Sequence, residues 1–195
     1  MQKFKKEVRA FYKPYYDKGD EAHTIAHADD VCKLALKMNS GEYNEKLIVL
    51  SAYIHDIFNS ANRAKHHKLA YEYVLKADDR FLKELNKEEL ELVAHATLEH
   101  RASFKGEFFS KLSEIISSAD RGEPKIEPIV IRSMQFNNAN VQDVVEHIKD
   151  KYAKGGYAKF PKLYIEHFKE EFKHFQESAK NITKVQVLEI WSSKN

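Results

Sequence analysis

Residues 47–58, LIVLSAYIHDIF, are apolar almost all round, except for an adjacent histidine and aspartate near the end of the run. A segment that is apolar on every side is predicted to be a helix buried by its neighbours. An ionised carboxylate in such a place is costly unless it is paired or bound to a metal ion. His55 and Asp56 therefore indicate a buried polar site, and a bound cation would account for it.

The rest of the chain is predicted to be all-α. Only six glycines and four prolines occur in 195 residues, and apolar residues recur at helical spacing throughout. A chain of this length suits one domain with one core, here a helical bundle with a C-terminal helical extension. The predicted helices are 2–16, 21–39, 44–59, 62–77, 87–101, 107–121, 126–136, 140–153, 161–180 and 183–191.

Composition excludes several classes of protein. The 32 basic and 30 acidic side chains leave a net charge of only +2, so no global field favours nucleic acid or a membrane surface. The single cysteine, Cys32, excludes an internal disulfide and suits a reducing compartment. The apolar runs are far shorter than the roughly 20 residues that span a bilayer, and the first residues lack the apolar block of a signal peptide. We expect a soluble cytoplasmic protein whose partner is a small molecule, not nucleic acid or a membrane, and the oligomeric state stays open.

Five consecutive predicted helices each place a histidine or an aspartate at or beside the apolar face. A single histidine on such a face is more often a hydrogen-bonded core residue, and a buried aspartate can be an ion-pair partner or a cap. Five helices in succession favour a metal site over those alternatives. The residues are His27, His55 with Asp56, His66, His95 and Asp120.

The order of these residues resembles the HD superfamily of metal-dependent phosphohydrolases, over about residues 22–123. HTIAHADDVCKLAL, AYIHDIF and SEIISSADRGEP resemble its first histidine helix, its defining doublet and its final aspartate helix. HHKLAYEYV and LVAHA are similar to segments of the two-metal branch, which includes diadenosine tetraphosphate hydrolases and cyclic-dinucleotide phosphodiesterases. The resemblance implies an HD-like core at about 18–124, with the extension at about 125–195, in a single domain.

The resemblance also implies a ligand set. His27, His55, Asp56 and Asp120 would hold one divalent ion, and Asp56 would bridge to a second ion held by His66 and His95, with His67 competing for the place of His66. Nitrogen and oxygen ligands suit manganese, iron, nickel or cobalt, with magnesium possible. Such an ion lowers the pKa of bound water from about 16 to about 7 and so provides a hydroxide nucleophile. Asp56 and His55 are accordingly the predicted catalytic residues.

Cationic side chains next to the ligands are candidate phosphate contacts. His100, Arg101 and Lys105 follow the His95 segment, and Arg121 follows Asp120. The family often has a lysine soon after the doublet; here Arg63 or Lys65 would take that role. For Lys105, ordinary surface charge is an equally good explanation.

Residues 149–164, KDKYAKGGYAKFPKLY, combine five lysines with one acid and four aromatic residues, including Tyr157. They would form either a loop that stacks a base and holds phosphates or a solvated helix end with its aromatic side chains packed inward. We predict a metal-dependent phosphohydrolase that cleaves a phosphoester or phosphoanhydride bond in a nucleotide or dinucleotide. The alternatives are a non-hydrolytic nucleotide-binding regulatory protein on the same scaffold, or an RNA phosphodiesterase that uses this basic segment.

Overall fold

The fold is all-helical, as predicted. The computed structural model describes residues 1–18, 24–136 and 140–194. Within these ranges it contains eleven α-helices, one 3₁₀ turn and no β-strand. The helices are α1 (Gln2–Tyr16), α2 (Ile25–Met38), α3 (Glu45–Ile54), α4 (His66–Lys76), α5 (Lys87–Glu99), α6 (Lys111–Asp120), α7 (Ile126–Phe136), α8 (Val141–Tyr152), α9 (Lys162–His167), α10 (Lys169–Asn181) and α11 (Lys184–Ser192), with the 3₁₀ turn at Leu82–Glu84.

The predicted helix 44–59 is shorter than expected. α3 ends at Ile54, and the following residues form tight turns, in which Ile57 N–H donates to the Ile54 carbonyl at 3.2 Å and Asn59 N–H donates to the Asp56 carbonyl at 2.9 Å. These bonds span three residues instead of the four of an α-helix. His55 and Asp56 therefore lie just beyond the end of a helix.

Other predicted helices also differ at their ends. The predicted helix 161–180 is two helices, because Phe168 takes a non-helical conformation (φ −112°, ψ 30°) between α9 and α10. The predicted helices 62–77 and 107–121 begin four residues late, at His66 and Lys111. The start of the predicted helix 21–39 lies partly outside the described residues.

The chain divides into two compact units, Met1–Gly122 and Glu123–Asn195. In the first unit α3 is central: it packs against α1, α2, α5 and α6, and every residue from Leu47 to Ile54 is buried. This confirms the prediction of a helix covered on all sides. In the second unit α7, α8, α10 and α11 pack against one another. An aromatic cluster links α8, α9 and α10, and its members are Tyr152, Phe160, Tyr164, Phe172 and Phe175. None of the helices in the described part of the chain is long and apolar enough to cross a bilayer.

Asp79 connects the segment between α4 and α5 to two neighbouring helices. Its buried carboxylate accepts hydrogen bonds from the hydroxyls of Tyr12 on α1 (2.6 Å) and Tyr73 on α4 (2.8 Å). It also accepts the backbone N–H groups of Phe81 (2.8 Å) and Leu82 (2.9 Å), which lead into the 3₁₀ turn. Four donors thus depend on one buried side chain.

We expect Asp79→Ala to lower the free energy of unfolding by about 3 kcal/mol, because it leaves buried donors without an acceptor. The neighbouring Asp78 is exposed, so Asp78→Ala is a matched control that should change stability by less than about 0.5 kcal/mol. Urea unfolding followed by circular dichroism measures both. Equal midpoints for the two variants would contradict this role of Asp79.

Candidate metal centre

Six side chains meet at the ends of five helices. His27 lies in the first turn of α2, and His66 is the first residue of α4. His55 and His100 directly follow α3 and α5, with Asp56 next to His55, and Asp120 is the last residue of α6. The folding of the first unit therefore brings helix ends, not helix middles, to the site.

The first group contains His27, His55, Asp56 and Asp120, each with a ligand atom within 4.8 Å of the others. His27 Nε2 lies 3.1 Å from Asp120 Oδ1 and 3.8 Å from Asp56 Oδ2. His55 Nε2 lies 3.2 Å from Asp56 Oδ2 and 3.6 Å from Asp120 Oδ1. Ligands bound at about 2.1 Å in tetrahedral or octahedral geometry stand about 3.0 to 3.4 Å apart. The spacing of this group fits a divalent ion.

The second group contains Asp56, His66 and His100. Asp56 Oδ1 lies 3.1 Å from His66 Nε2 and 3.5 Å from His100 Nε2. The two oxygens of Asp56 are therefore divided, with Oδ2 toward the first group and Oδ1 toward the second.

Backbone carbonyls fix the orientation of three of these imidazoles. The Nδ1 atoms of His55, His66 and His100 lie 2.7–2.8 Å from the carbonyl oxygens of Ala52, Arg63 and Thr97, respectively. A carbonyl only accepts, so each Nδ1 carries a hydrogen, and whenever Nε2 carries no proton its lone pair is directed into the site. A hydrogen-bonded Nδ1 is the usual arrangement behind a metal-ligating histidine.

Two observations test whether a cation fits. His66 Nε2 and His100 Nε2 face each other at 3.0 Å, and two lone pairs at that distance need a proton or a cation between them. His55 Nε2 is buried and has no well-formed hydrogen bond among the described residues. The residues present therefore suit a divalent ion with nitrogen and oxygen ligands.

Electrostatics agree with this interpretation. Burial alone would raise the pKa of Asp56, but His55, His100 and His66 outweigh it and hold that pKa well below its usual range. Burial likewise opposes ionisation of Asp120, and His27 and His55 lower its pKa well below the ordinary value. Burial disfavours charge on His55, yet the two carboxylates raise its pKa to about 10. The site thus holds two ionised carboxylates that attract positive charge, either as protons or as metal ions.

His95 does not lie with the second group, contrary to the expectation from the LVAHA segment. Its Nδ1 donates to Glu99 Oε1 at 3.0 Å, and its ring stacks on Phe109 with centroids 3.9 Å apart. The cross-helix contacts His66–His100 and Tyr71–His95 share one antiparallel register between α4 and α5. His95 is thus five residues, or about 7.5 Å along the axis, from the level of the ligands.

His100, predicted as a substrate contact, occupies that place instead. It is almost fully buried and continues the buried stripe of Val93, Ala96 and Thr97 at helical spacing. This buried stripe is the sequence pattern that could have identified His100 as a member of the site. Of the two adjacent histidines on α4, His66 and not His67 belongs to the second group.

The predicted phosphate contacts differ in their surroundings. The side chain of Arg121 is only 5% exposed, and its Nη1 donates to the carbonyls of His100 and Ser117, both at 2.6 Å, so the guanidinium bonds to the protein interior and does not form an open clamp. Arg101 is partly exposed and donates to the Ala64 carbonyl at 3.1 Å. The exposed candidates are Arg63, Lys65 and Lys105 in the first unit and Tyr157 in the second.

If both groups bind an ion, the variants His100→Ala and His95→Ala should differ in the number of metal ions that they bind. We expect His100→Ala to lower bound manganese or cobalt from about two ions to about one per chain, because it removes a ligand of the second group. His95→Ala, the matched control on the same helix, should retain both ions. Equilibrium dialysis followed by elemental analysis measures the content. Loss of an ion from His95→Ala alone would contradict the assignment.

The HD domain family model matches residues 21–133, which is more than half of the chain, and the protein belongs to this family. HD domains bind divalent metals and are generally metal-dependent phosphohydrolases. Searches of curated proteins and of solved structures gave no match.

Proposed function

We propose that this HD-domain protein is a two-ion phosphohydrolase that cleaves a phosphoester or phosphoanhydride bond in a nucleotide or dinucleotide. The observation that carries the proposal is the division of the Asp56 carboxylate, with Oδ2 in one four-ligand group and Oδ1 in a second group with His66 and His100. Paired ions that share a carboxylate are typical of sites that hydrolyse phosphate esters.

A divalent ion in such a site provides hydroxide at neutral pH and neutralises charge on phosphoryl oxygens. His27, His55, Asp56 and Asp120 would hold one ion, and Asp56, His66 and His100 the other. The ligands are imidazoles and carboxylates without a thiolate, so manganese, iron, nickel or cobalt suits them, and magnesium is the hard alternative.

The chain's own residues define the direction of approach. The side chains of Asp120 and His27 are 20% and 12% exposed, whereas those of Asp56, His66 and His100 are at most 7% exposed. A phosphate would therefore reach the first group from the side of Asp120 and His27. The buried second group is shielded from bulk water, which strengthens its electrostatic contacts.

Exposed cations near the ligands would bind the phosphate chain. Lys65 adjoins His66, Arg63 supplies the carbonyl that orients His66, and Arg101 adjoins His100. Arginine offers bidentate contacts to phosphate, whereas lysine acts as a point charge. Arg101 and Arg63 are thus the leading candidates for orientation of the substrate, while Lys105 stays a weaker one.

The test is product analysis with manganese present, over nucleoside mono-, di- and triphosphates, dinucleoside polyphosphates and cyclic dinucleotides. We expect turnover of one of these classes, and we expect Asp56→Ala to reduce it by about 10³-fold or more, because both ions lose their shared ligand. Asp30→Ala, an exposed aspartate on α2, is the control and should retain activity. EDTA should abolish turnover and manganese should restore it.

Turnover retained by a folded Asp56→Ala protein would contradict the mechanism. Full metal content with no turnover across the panel would instead favour the regulatory alternative, in which the scaffold binds a nucleotide without cleaving it.

A further inference from the structure

The chain reverses direction just after α8, and two backbone hydrogen bonds fix the conformation of this turn. Tyr157 N–H donates to the Asp150 carbonyl at 3.0 Å, and Ala158 N–H donates to the Lys151 carbonyl at 3.1 Å. Gly155 has φ +89°, and a Cβ on Gly156 would lie 2.6 Å from the Lys151 carbonyl oxygen. Only glycine suits these two positions. Residues 153–158, here named the glycine turn, therefore have a defined backbone.

The glycine turn presents one aromatic ring to solvent. Of the four aromatic side chains in residues 149–164, Tyr152, Phe160 and Tyr164 belong to the aromatic cluster of the second unit. Tyr157 is 54% exposed, and among the described residues its ring has a distant edge contact with His147, with centroids 6.5 Å apart. The inward-packed interpretation of this segment thus holds for three rings, and Tyr157 is left available for stacking.

The segment that carries this ring is rich in lysine. Residues 149–162 contain five lysines and one acid, and Lys149, Lys154, Lys159 and Lys162 are exposed. Lys149 and Lys151 lie in the last turn of α8, where a cation stabilises the helix dipole. Lys154 and Lys159 lie beyond the end of the helix. Lys162 forms a 3.5 Å ion pair with Glu166 at a strongly exposed position, where such a pair is weak.

We propose that the glycine turn and its lysines bind single-stranded nucleic acid, with a base stacked on Tyr157 and phosphates on Lys149, Lys154 and Lys159. An exposed aromatic ring on a fixed backbone, in a segment rich in exposed lysines, is the combination that binds single strands, because every base has a face to stack and every nucleotide carries a charge. A purely electrostatic partner would need the lysines but not the ring. Acidic residues elsewhere in the chain offset the local excess of lysines, which is why the net charge of the whole chain is small. The small net charge therefore does not argue against a nucleic-acid site at this segment.

This inference is independent of the metal centre, so its test is done with EDTA present. Fluorescence anisotropy would measure binding of a labelled single strand of about 12 nucleotides, within the range of known site sizes. We expect affinity to fall as salt rises from about 50 to 200 mM. Tyr157→Ala should weaken binding about 10-fold, while Tyr157→Phe, which keeps the ring, should bind like the native protein.

A triple variant tests the lysines. Lys149→Ala, Lys154→Ala and Lys159→Ala together should weaken binding further and reduce the salt slope by about 2, since each phosphate that a lysine neutralises adds about 0.7 to the slope. The matched control replaces Lys76, Lys83 and Lys87, which are exposed in the first unit, with alanine and should leave the slope unchanged. Circular dichroism checks that each variant is folded.

Four results would overturn the proposal. The first is the absence of binding at low salt. The second is equal binding by Tyr157→Ala and the native protein, and the third is equal weakening by the two triple variants. The fourth is binding to phosphatidylserine vesicles without binding to the oligonucleotide, which would assign the surface to a membrane.

Discussion

The buried carboxylate of Asp56 is the constraint on which the rest of the first unit depends. It is 6% exposed, and an isolated charge at such a depth costs several kcal/mol. Four imidazole nitrogens, from His27, His55, His66 and His100, lie within 3.8 Å of its two oxygens. These histidines come from the ends of α2, α3, α4 and α5, so the positions of four helix ends are coupled to one side chain.

Helix ends suit this task because their last carbonyls have no intrahelical partner. Ala52 and Thr97 lie within the last turns of α3 and α5, and their carbonyls accept Nδ1–H from His55 and His100. The same bond satisfies a buried carbonyl and directs Nε2 toward the carboxylates. A histidine in the middle of a helix would find those carbonyls already bonded. The tight turns after α3 are therefore part of the site, since they place His55 at a helix end.

Periodicity predicted much of this from the sequence, but not all of it. An apolar stripe beside each of His27, His66 and Asp120 was enough to indicate which side of the helix is buried. The structure brings all three residues to the candidate metal centre. On α5 the pattern was ambiguous, because apolar residues support both the face of His95 and the face of His100. Only the register of α4 against α5 separates them, and register is a property of the packed pair, not of either helix. The sequence likewise did not predict that α3 ends at Ile54, because the apolar run continues beyond that residue to Phe58.

Arg121 shows how a charge beside a ligand can have a structural task. The sequence places this guanidinium next to Asp120, where a phosphate clamp was the natural expectation. In the structure it is buried and donates to the His100 carbonyl, which also accepts the Ser117 hydroxyl at 3.1 Å. The end of α6, which carries a ligand of the first group, is thereby tied to the end of α5, which carries a ligand of the second. The two groups are consequently linked twice, through the shared carboxylate of Asp56 and through the backbone that Arg121 holds, so displacement of one group would disturb the other.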